Sequence, residues 1–410
     1  MRDTNLTIAE LGHRGDGIAH SEGGQVYVPG ALPGEEVTAE VSNGRAADVT
    51  YIKTSPDRIE PICKHYESCG GCSVQHLAQE PYLDWKRGLV VKALADRGIE
   101  AEVAPVVPSE PGSRRRAVLT AARAGRTILL GYHEKASHKM VDISECPVLV
   151  PEIVAGLRGL KRLCVELMPK KGELRVNVLS TTNGLDVAFD QADSKYESKF
   201  AALSQLAVEL GLARLTINGE TLLEARPPAL DMGGLTVVPP PAGFTQATLQ
   251  AEEALCDLVL EGLGKSKKVT DLFAGVGTFA LRIAKSASVH AVEGDAAANK
   301  ALDKALRVPR GFKKVTFERR DIFRRPLMKA ELASYDAVVF DPPRAGAQAQ
   351  AEQIAVSKVK TVIAVSCNPA TLARDLRILI DGGYTLQKVT PVDQFLFSPH
   401  IECVAILKRE

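Results

Sequence analysis

The chain has 410 residues, enough for two or three domains, with 45% hydrophobic and 25% charged residues and a formal net charge of +1. It holds no run of 18 apolar residues, which speaks against a membrane span, and its first residues, MRDTNLTIAE, contain no apolar signal-peptide core, so a cytoplasmic protein is expected. Eight cysteines in a chain this long do not suggest a disulfide scaffold, and in a reducing compartment they point to metal or catalytic uses.

Residues 4–54 show short alternating segments broken by glycine (LTIAEL, GIAH, GQVYVPG, EEVTAEV), the pattern of a small antiparallel barrel or meander. Pro56 and Pro61 mark a boundary, placing a first domain at 1–57. A cysteine-rich stretch follows, then an amphipathic helix over 81–97, with Tyr82, Trp85, Leu89 and Ala93 at helical spacing and Trp85 read as core. Residues 110–238 mix strands such as AVLTAA and TILLGY with a helix over 195–210, and VVPPPAGF (237–244) reads as a linker, so a central α+β domain spans 58–240. From 241 to 410 the pattern becomes strand–helix alternation. VTDLF, VHAVE, VTFE, AVVF and TVIAV are apolar strands, which argues for a doubly wound α/β sheet. YTLQKVTPV (384–392) and ECVAILK (402–408) leave no room for a helix between them and are expected to pair antiparallel at one sheet edge. Basic residues cluster at 103–140, with seven Lys or Arg against two acids, and at 303–329, with ten against three. Such patches suit a phosphate backbone, although each alone reads more simply as a solvated face.

Three stretches carry chemistry. DLFAGVGTFA (271–280) follows the first strand of the doubly wound sheet, and Gly275, Gly277 and Ala280 fit the G-x-G-x-x-A turn that lets a ligand approach backbone amides. Glu293 ends the next strand, where an acid can hold ribose hydroxyls; the pair suits a nicotinamide dinucleotide or the nucleoside of S-adenosylmethionine. In FDPPRAGA (340–347), Asp341 ends the fourth strand on the same rim, and two prolines stiffen the loop in a way that suits gripping a planar polar base. In VSCNPATLARDL (365–376), Cys367 stands where a strand ends and a helix opened by Asn368 and Pro369 begins. A helix N-terminus favours anions, so this thiol is expected to have a lowered pKa, unless it is simply an inert buried cysteine. Separately, CKHYESCGGC places Cys63, Cys69 and Cys72 at C-x5-C-x2-C, a density rarely found in a core. Cys146, in SECPVL, is the best fourth ligand and Cys164 a poorer one; an iron–sulfur cluster and a structural zinc site both suit thiolates.

DLFAGVGTF, AVEGD, FDPPRAGA, VSCNPATLARDL and SPHIE occur in the order seen in RNA (uracil-5-)-methyltransferases, and over nearly its whole length the chain resembles the branch acting on 23S ribosomal RNA. The resemblance implies a Rossmann-like class I methyltransferase sheet, an OB-like TRAM barrel at the N-terminus, S-adenosylmethionine as cofactor and RNA as partner, with no DNA and no membrane, acting as a monomer. It further implies a [4Fe–4S] cluster on Cys63, Cys69, Cys72 and Cys146, with a structural or RNA-folding role. By the same resemblance Cys367 is the nucleophile that adds to ring carbon 6 of uracil, and Glu402 is the base that later removes the proton from carbon 5. Gln246, Phe273, Gly275, Gly277, Thr278, Glu293, Asp321 and Asp341 line the cofactor and base sites. Thr278 departs from the asparagine usual there. His400, beside Glu402 in sequence, would orient the base or the RNA, or lie free on the surface. Arg114, Arg115 and Arg116 are candidate phosphate contacts. The alternatives are the same chemistry on transfer RNA, a nicotinamide-linked iron–sulfur oxidoreductase, and a radical S-adenosylmethionine enzyme, although the last usually needs C-x3-C-x2-C spacing.

Overall fold

The computed structural model describes residues 3–21, 23–307 and 311–410. Glu22 of the expected barrel and Arg310 of the second basic stretch lie outside the described residues. Among those residues, β1 (Asp3–Leu11), β2 (Gly17–Ser21), β3 (Gly24–Val28), β4 (Glu36–Ser42) and β5 (Arg45–Lys53) form a closed barrel in the order β1-β2-β3-β5-β4. Alternate residues, including Leu6, Ile8, Val26, Val28, Val37 and Ala39, turn inward to make its core. The pairing is antiparallel except where Tyr27 meets Arg45 in parallel and closes the barrel. Gly17 is required by packing, since a Cβ there would stand 2.7 Å from the Ala31 carbonyl oxygen.

Helix α1 (Gln79–Ala95) starts and ends two residues before the expected span. Its buried face runs through Tyr82, Lys86, Val90 and Leu94 rather than through Trp85, Leu89 and Ala93. The half-buried Trp85 turns its indole N–H to the Gly12 carbonyl of the barrel, 3.2 Å away. The apolar spacing was shifted by one residue because the position in line with Tyr82 and Val90 is a lysine with no exposure at all. Val90 and Leu94 join a hydrophobic cluster of the C-terminal sheet.

A second sheet comprises β6 (Arg116–Ala124), β7 (Thr127–His133), β8 (Met140–Asp142), β9 (Leu174–Thr181), β10 (Gly184–Asp190), β11 (Arg214–Ile217) and β12 (Glu220–Glu224), ordered β12-β11-β10-β9-β6-β7-β8. Helices α2 (Pro151–Leu167) and α3 (Phe200–Glu209) contribute Ile153, Leu160, Leu163, Leu203 and Leu206 to the core that this sheet shares. A short ribbon, β13 (Leu230–Asp231) with β14 (Thr236–Val237), leads into the C-terminal core.

Helix α4 (Leu249–Leu263), capped by the Thr248 hydroxyl accepting from the Ala251 N–H, precedes the third sheet. Its elements are β15 (Lys268–Leu272), α5 (Thr278–Ile283), β16 (Ser288–Glu293), α6 (Ala296–Leu306), β17 (Val315–Arg319), α7 (Lys329–Leu332), β18 (Ala337–Phe340), α8 (Gln348–Ala355), β19 (Thr361–Ser366), α9 (Pro369–Asp381), β20 (Thr385–Val392) and β21 (Glu402–Lys408). The order β17-β16-β15-β18-β19-β21-β20 is parallel through β19. The final pair is antiparallel as expected, but β21 is not the edge: it lies between β19 and β20. An edge position would have left Glu402 remote from Cys367. Instead Ser366 pairs with Cys403, so Glu402 sits beside the carboxyl end of β19. Alternate side chains of each strand fall into two hydrophobic clusters, one for each face of the sheet. The strand order reverses between β15 and β18, and ligands of such sheets bind at that crevice, beyond the strands' carboxyl ends.

Candidate active site

Cys367 follows the last residue of β19, and the Asn368 side chain accepts from the Ala370 N–H at 3.1 Å to cap α9. The expected lowering of the thiol pKa is not what the surroundings produce. Burial, then the Glu402 and Asp341 carboxylates, push the Cys367 thiol up to about 11, against the opposing charge of Arg344. The dipole end of α9 is partly spent on its own cap, while two acids lie close to the sulfur.

Glu402 is 3% exposed, not the solvated strand-start carboxylate that a lone Glu usually is. Burial and then repulsion from Asp341 hold its pKa well above the carboxylate range, and burial raises Asp341 to about 7. Two glutamine amides join these acids. Gln246 Nε2 donates to Asp341 Oδ2 at 3.2 Å, and Gln394 Nε2 donates both to Gln246 Oε1 and to Glu402 Oε1, each at 2.8 Å. Gln394 Oε1 accepts from the Ala247 N–H at 2.7 Å. Glu402 Oε2 has no partner among the described residues.

Across the crevice, Gly277 adopts φ 101° and opens α5, a conformation that side chains other than glycine rarely reach. Glu293 Oε2 accepts from the Gly275 N–H at 2.9 Å and Oε1 from the Asp295 N–H, so this acid braces the turn. Phe273 is held at φ 61° with its ring 5.3 Å from that of Phe323. Asp321 is exposed and accepts from the Phe323 and Arg324 N–H groups, placing the loop that carries Phe323. Thr278 is the half-buried first residue of α5. Beneath the turn, Asp271 is fully buried in β15 and neither of its oxygens has a partner among the described residues; the Ala280 amide faces it without ordinary hydrogen-bond geometry. Burial and then the Asp341 charge raise its pKa well above the normal range. His400 is exposed, and its Nδ1 accepts from the Arg344 guanidinium at 2.6 Å, which fixes a neutral ring because arginine can only donate.

The arginine run is not a uniform phosphate-binding surface. Arg115 is 7% exposed; it donates to Glu252 on α4, which also receives Arg282 at 2.7 Å. Arg116 stacks over the exposed ring of Phe244 at 4.9 Å, and Arg114 lies 5.9 Å from the Phe395 ring. The alternation follows from strand geometry, which turns neighbouring side chains to opposite faces. In the 303–329 stretch, Arg320 bridges Glu318 and Glu331, and Arg307 pairs with Asp303, so acids absorb part of that charge.

Cys63, Cys69, Cys72 and Cys146 line one cavity of about 160 Å³, with Tyr66, Gln75, Arg114, Tyr132 and Leu396 around them. Burial and the neighbouring thiols push Cys72 up to about 12. Among the described residues, no three His, Cys, Asp or Glu side chains stand close enough to hold a single ion. Cys164 is on the buried face of α2, and Cys256 and Cys403 are also buried.

A family model for tRNA (uracil-5-)-methyltransferases matches residues 241–410, and one for the TRAM domain matches residues 4–49. An RNA methyltransferase of Brucella suis is 50% identical over 98% of this chain and 97% of its own. The 23S rRNA (uracil(1939)-C(5))-methyltransferase RlmD of Halomonas elongata is 34% identical over 98% of this chain and 89% of its own. This chain belongs to the RNA (uracil-5-)-methyltransferase family. Membership sets aside the nicotinamide-linked and radical readings. The methyltransferase also superposes on the Pyrococcus abyssi tRNA (uracil-54, C5)-methyltransferase in complex with S-adenosyl-L-homocysteine, with a TM-score of 0.79 and 25% identity over 98% of this chain and 99% of the other.

Sequence reasoning missed Gln394, Asp271 and Arg344. A glutamine in a loop carries no signal. Asp271 did carry one, because an acid inside the apolar run VTDLF needs a reason to be there.

Proposed function

We propose that the enzyme methylates carbon 5 of a uridine in 23S ribosomal RNA through a covalent bond between Cys367 and ring carbon 6. The observation that carries this is the meeting of Cys367 and Glu402 at the sheet rim, where Glu402 keeps one oxygen without a partner. S-adenosylmethionine, when bound, supplies the methyl group as an electrophile. The residues suit it: a glycine turn braced by Glu293, the aromatic pair Phe273 and Phe323, and Asp271, whose buried oxygens have no partner. By likeness to the family, Gln246, Asp341, Thr278 and Asp321 would line the same cofactor and base sites, and Gln246 donates to Asp341.

In the resting site the thiol holds its proton and is a poor nucleophile. A target uridine must leave its stack to reach a sulfur at the end of a strand. Once ionised, the sulfur bonds to carbon 6 and the 5,6-electron pair moves toward the oxygen on carbon 4, making carbon 5 nucleophilic. After carbon 5 has gained the methyl, Glu402 Oε2 takes the proton from carbon 5, the carbon–sulfur bond breaks with its pair returning to sulfur, and the 5,6 double bond reforms. Glu402 acts in its ionised form, and a raised pKa then makes it the stronger base.

Cys63, Cys69, Cys72 and Cys146 would hold a [4Fe–4S] cluster, one cysteine to each iron. Such a cluster spreads its ligands around a cavity, whereas zinc draws all four sulfurs to about 2.3 Å of one ion. Held by these four cysteines, such a cluster would supply structural cross-linking rather than an open metal site. The ribosomal target rests on likeness to the Halomonas relative. Mapping 5-methyluridine in total RNA from a deletion strain separates it from transfer RNA. The covalent step is tested by incubating variants with substrate RNA and S-adenosylmethionine. Glu402→Gln should accumulate a protein–RNA adduct on a denaturing gel, and Cys367→Ala should give neither adduct nor product. A fully active Cys367→Ala enzyme ends the covalent reading.

A further inference from the structure

We propose that Gln394 is a positioning residue for the base, aiming Glu402 so that Oε2 is the oxygen offered to the substrate. The proposal rests on the covalent reading above. A glutamine side chain can be turned over without changing its shape, and only its neighbours decide which end donates. Here the decision comes from the backbone. The Ala247 N–H points at one end of the Gln394 amide, 2.7 Å away, and a backbone N–H can only donate. That end is therefore the oxygen, and the NH2 end faces Gln246 Oε1 and Glu402 Oε1. The direction then propagates. Gln246 must accept at its oxygen, so its NH2 faces Asp341 Oδ2. One backbone amide thus orders two side-chain amides and aims a donor at each carboxylate.

The consequence for Glu402 is specific. Oε1 accepts from Gln394, so any proton that Glu402 carries sits on Oε2, the oxygen without a partner. Donation to Oε1 also favours the ionised form, against burial and the Asp341 charge. The groups facing Glu402 are Asp341, Arg344, Cys367 and its sequence neighbour Cys403, with Lys86 beyond Cys403.

The position of Gln394 does not depend on its own side chain. Its neighbour Asp393 has no exposure and accepts from Lys86 Nζ at 2.7 Å and from the Tyr82 hydroxyl, both on α1. The Phe397 N–H donates to the Tyr82 oxygen at 2.9 Å, and the Phe397 carbonyl accepts from the Ser73 and Val74 N–H groups. The segment from Asp393 to His400 is clamped from outside the C-terminal sheet, so replacing the Gln394 amide removes the donors and leaves the backbone held.

The test uses full-length, cluster-loaded enzyme in single turnovers with substrate RNA and S-adenosylmethionine between pH 6 and 9. Adduct and methylated product are followed separately. Gln394→Met keeps the length and loses the polar groups. It should form the adduct at near the normal rate and resolve it about tenfold or more slowly, and the acid limb of the resolution rate should move up by about one pH unit, because the lost donor favoured the carboxylate. Adduct resolution at the normal rate with an unmoved acid limb would overturn the proposal and reduce Gln394 to packing. If Glu402→Gln builds adduct while Gln394→Met behaves as the parent enzyme, the positioning claim alone has failed. If no variant builds adduct, the covalent reading has failed, and the acid limb of the methylation rate decides Gln394 in the same way. Should Gln394→Met not fold, the near-isosteric Gln394→Glu replaces it. A third carboxylate there should move the same limb further up, and an unmoved limb overturns the proposal.

Discussion

The four-cysteine cavity and Cys367 both carry thiols with raised pKa values, and they differ in what surrounds them. Around the four-cysteine cavity, the groups that raise Cys72 after burial are the other thiols themselves, and Arg114 lines the wall. Around Cys367, the groups that act after burial are the Glu402 and Asp341 carboxylates. Thiols that raise one another are relieved together by one polynuclear cation, which ionises all of them. A thiol raised by acids becomes reactive when those acids take up protons or their charge is offset. On the proposed reading the same residue type would serve structure in one place and chemistry in the other, with the neighbouring charges making the difference.

The largest expected difference between the two cysteine sites is in metal content. Anaerobically purified enzyme should contain about four irons per chain. Cys146→Ser should lose them, while Cys164→Ser and Cys367→Ala should keep them; iron analysis and the visible spectrum decide. Stoichiometric zinc with negligible iron would remove the cluster from the comparison.

Lys86 links the two regions, since α1 follows the cysteine loop and its lysine grips the segment that leads to Glu402. Lys86→Met leaves Asp393 buried with its cation gone, which should cost about 3–5 kcal/mol in denaturant unfolding. A loss below about 1 kcal/mol would show that Tyr82 alone satisfies that carboxylate.

The reactivity of Cys367 sharpens the contrast. Below a pKa of about 11 the thiolate fraction rises with pH, so alkylation of Cys367 in cluster-loaded, RNA-free enzyme should rise about tenfold per unit from pH 7 to 9. An inflection below pH 8, read by peptide mass spectrometry, would mean that the dipole of α9 outweighs the two acids.

The smallest effect concerns the arginine run, whose Arg114 lines the cysteine cavity. Phe244→Ala removes an exposed ring stacked on Arg116 and should weaken RNA binding by about 1 kcal/mol, the lower end of a base-stacking contact, with iron content unchanged. Unchanged affinity would assign Phe244 to supporting Arg116.

The elements and their order were legible in the sequence because they follow local rules. Alternation marked the barrel, apolar runs marked the parallel strands, and Asn368-Pro369 marked the start of α9. The cysteine spacing and the rim position of Asp341, Glu293 and Cys367 were equally local. What only the tertiary structure decided was which groups face one another. The insertion of β21 between β19 and β20 brings Glu402 to Cys367, and the turn of a strand buries Arg115 while leaving Arg116 beside Phe244. The contact from Ala247 to Gln394 spans 147 residues, and that from Lys86 to Asp393 spans 307. No periodicity records such pairs. The raised pKa of Cys367 belongs with them, because a helix start can be read from five letters but the carboxylates that oppose it come from other strands.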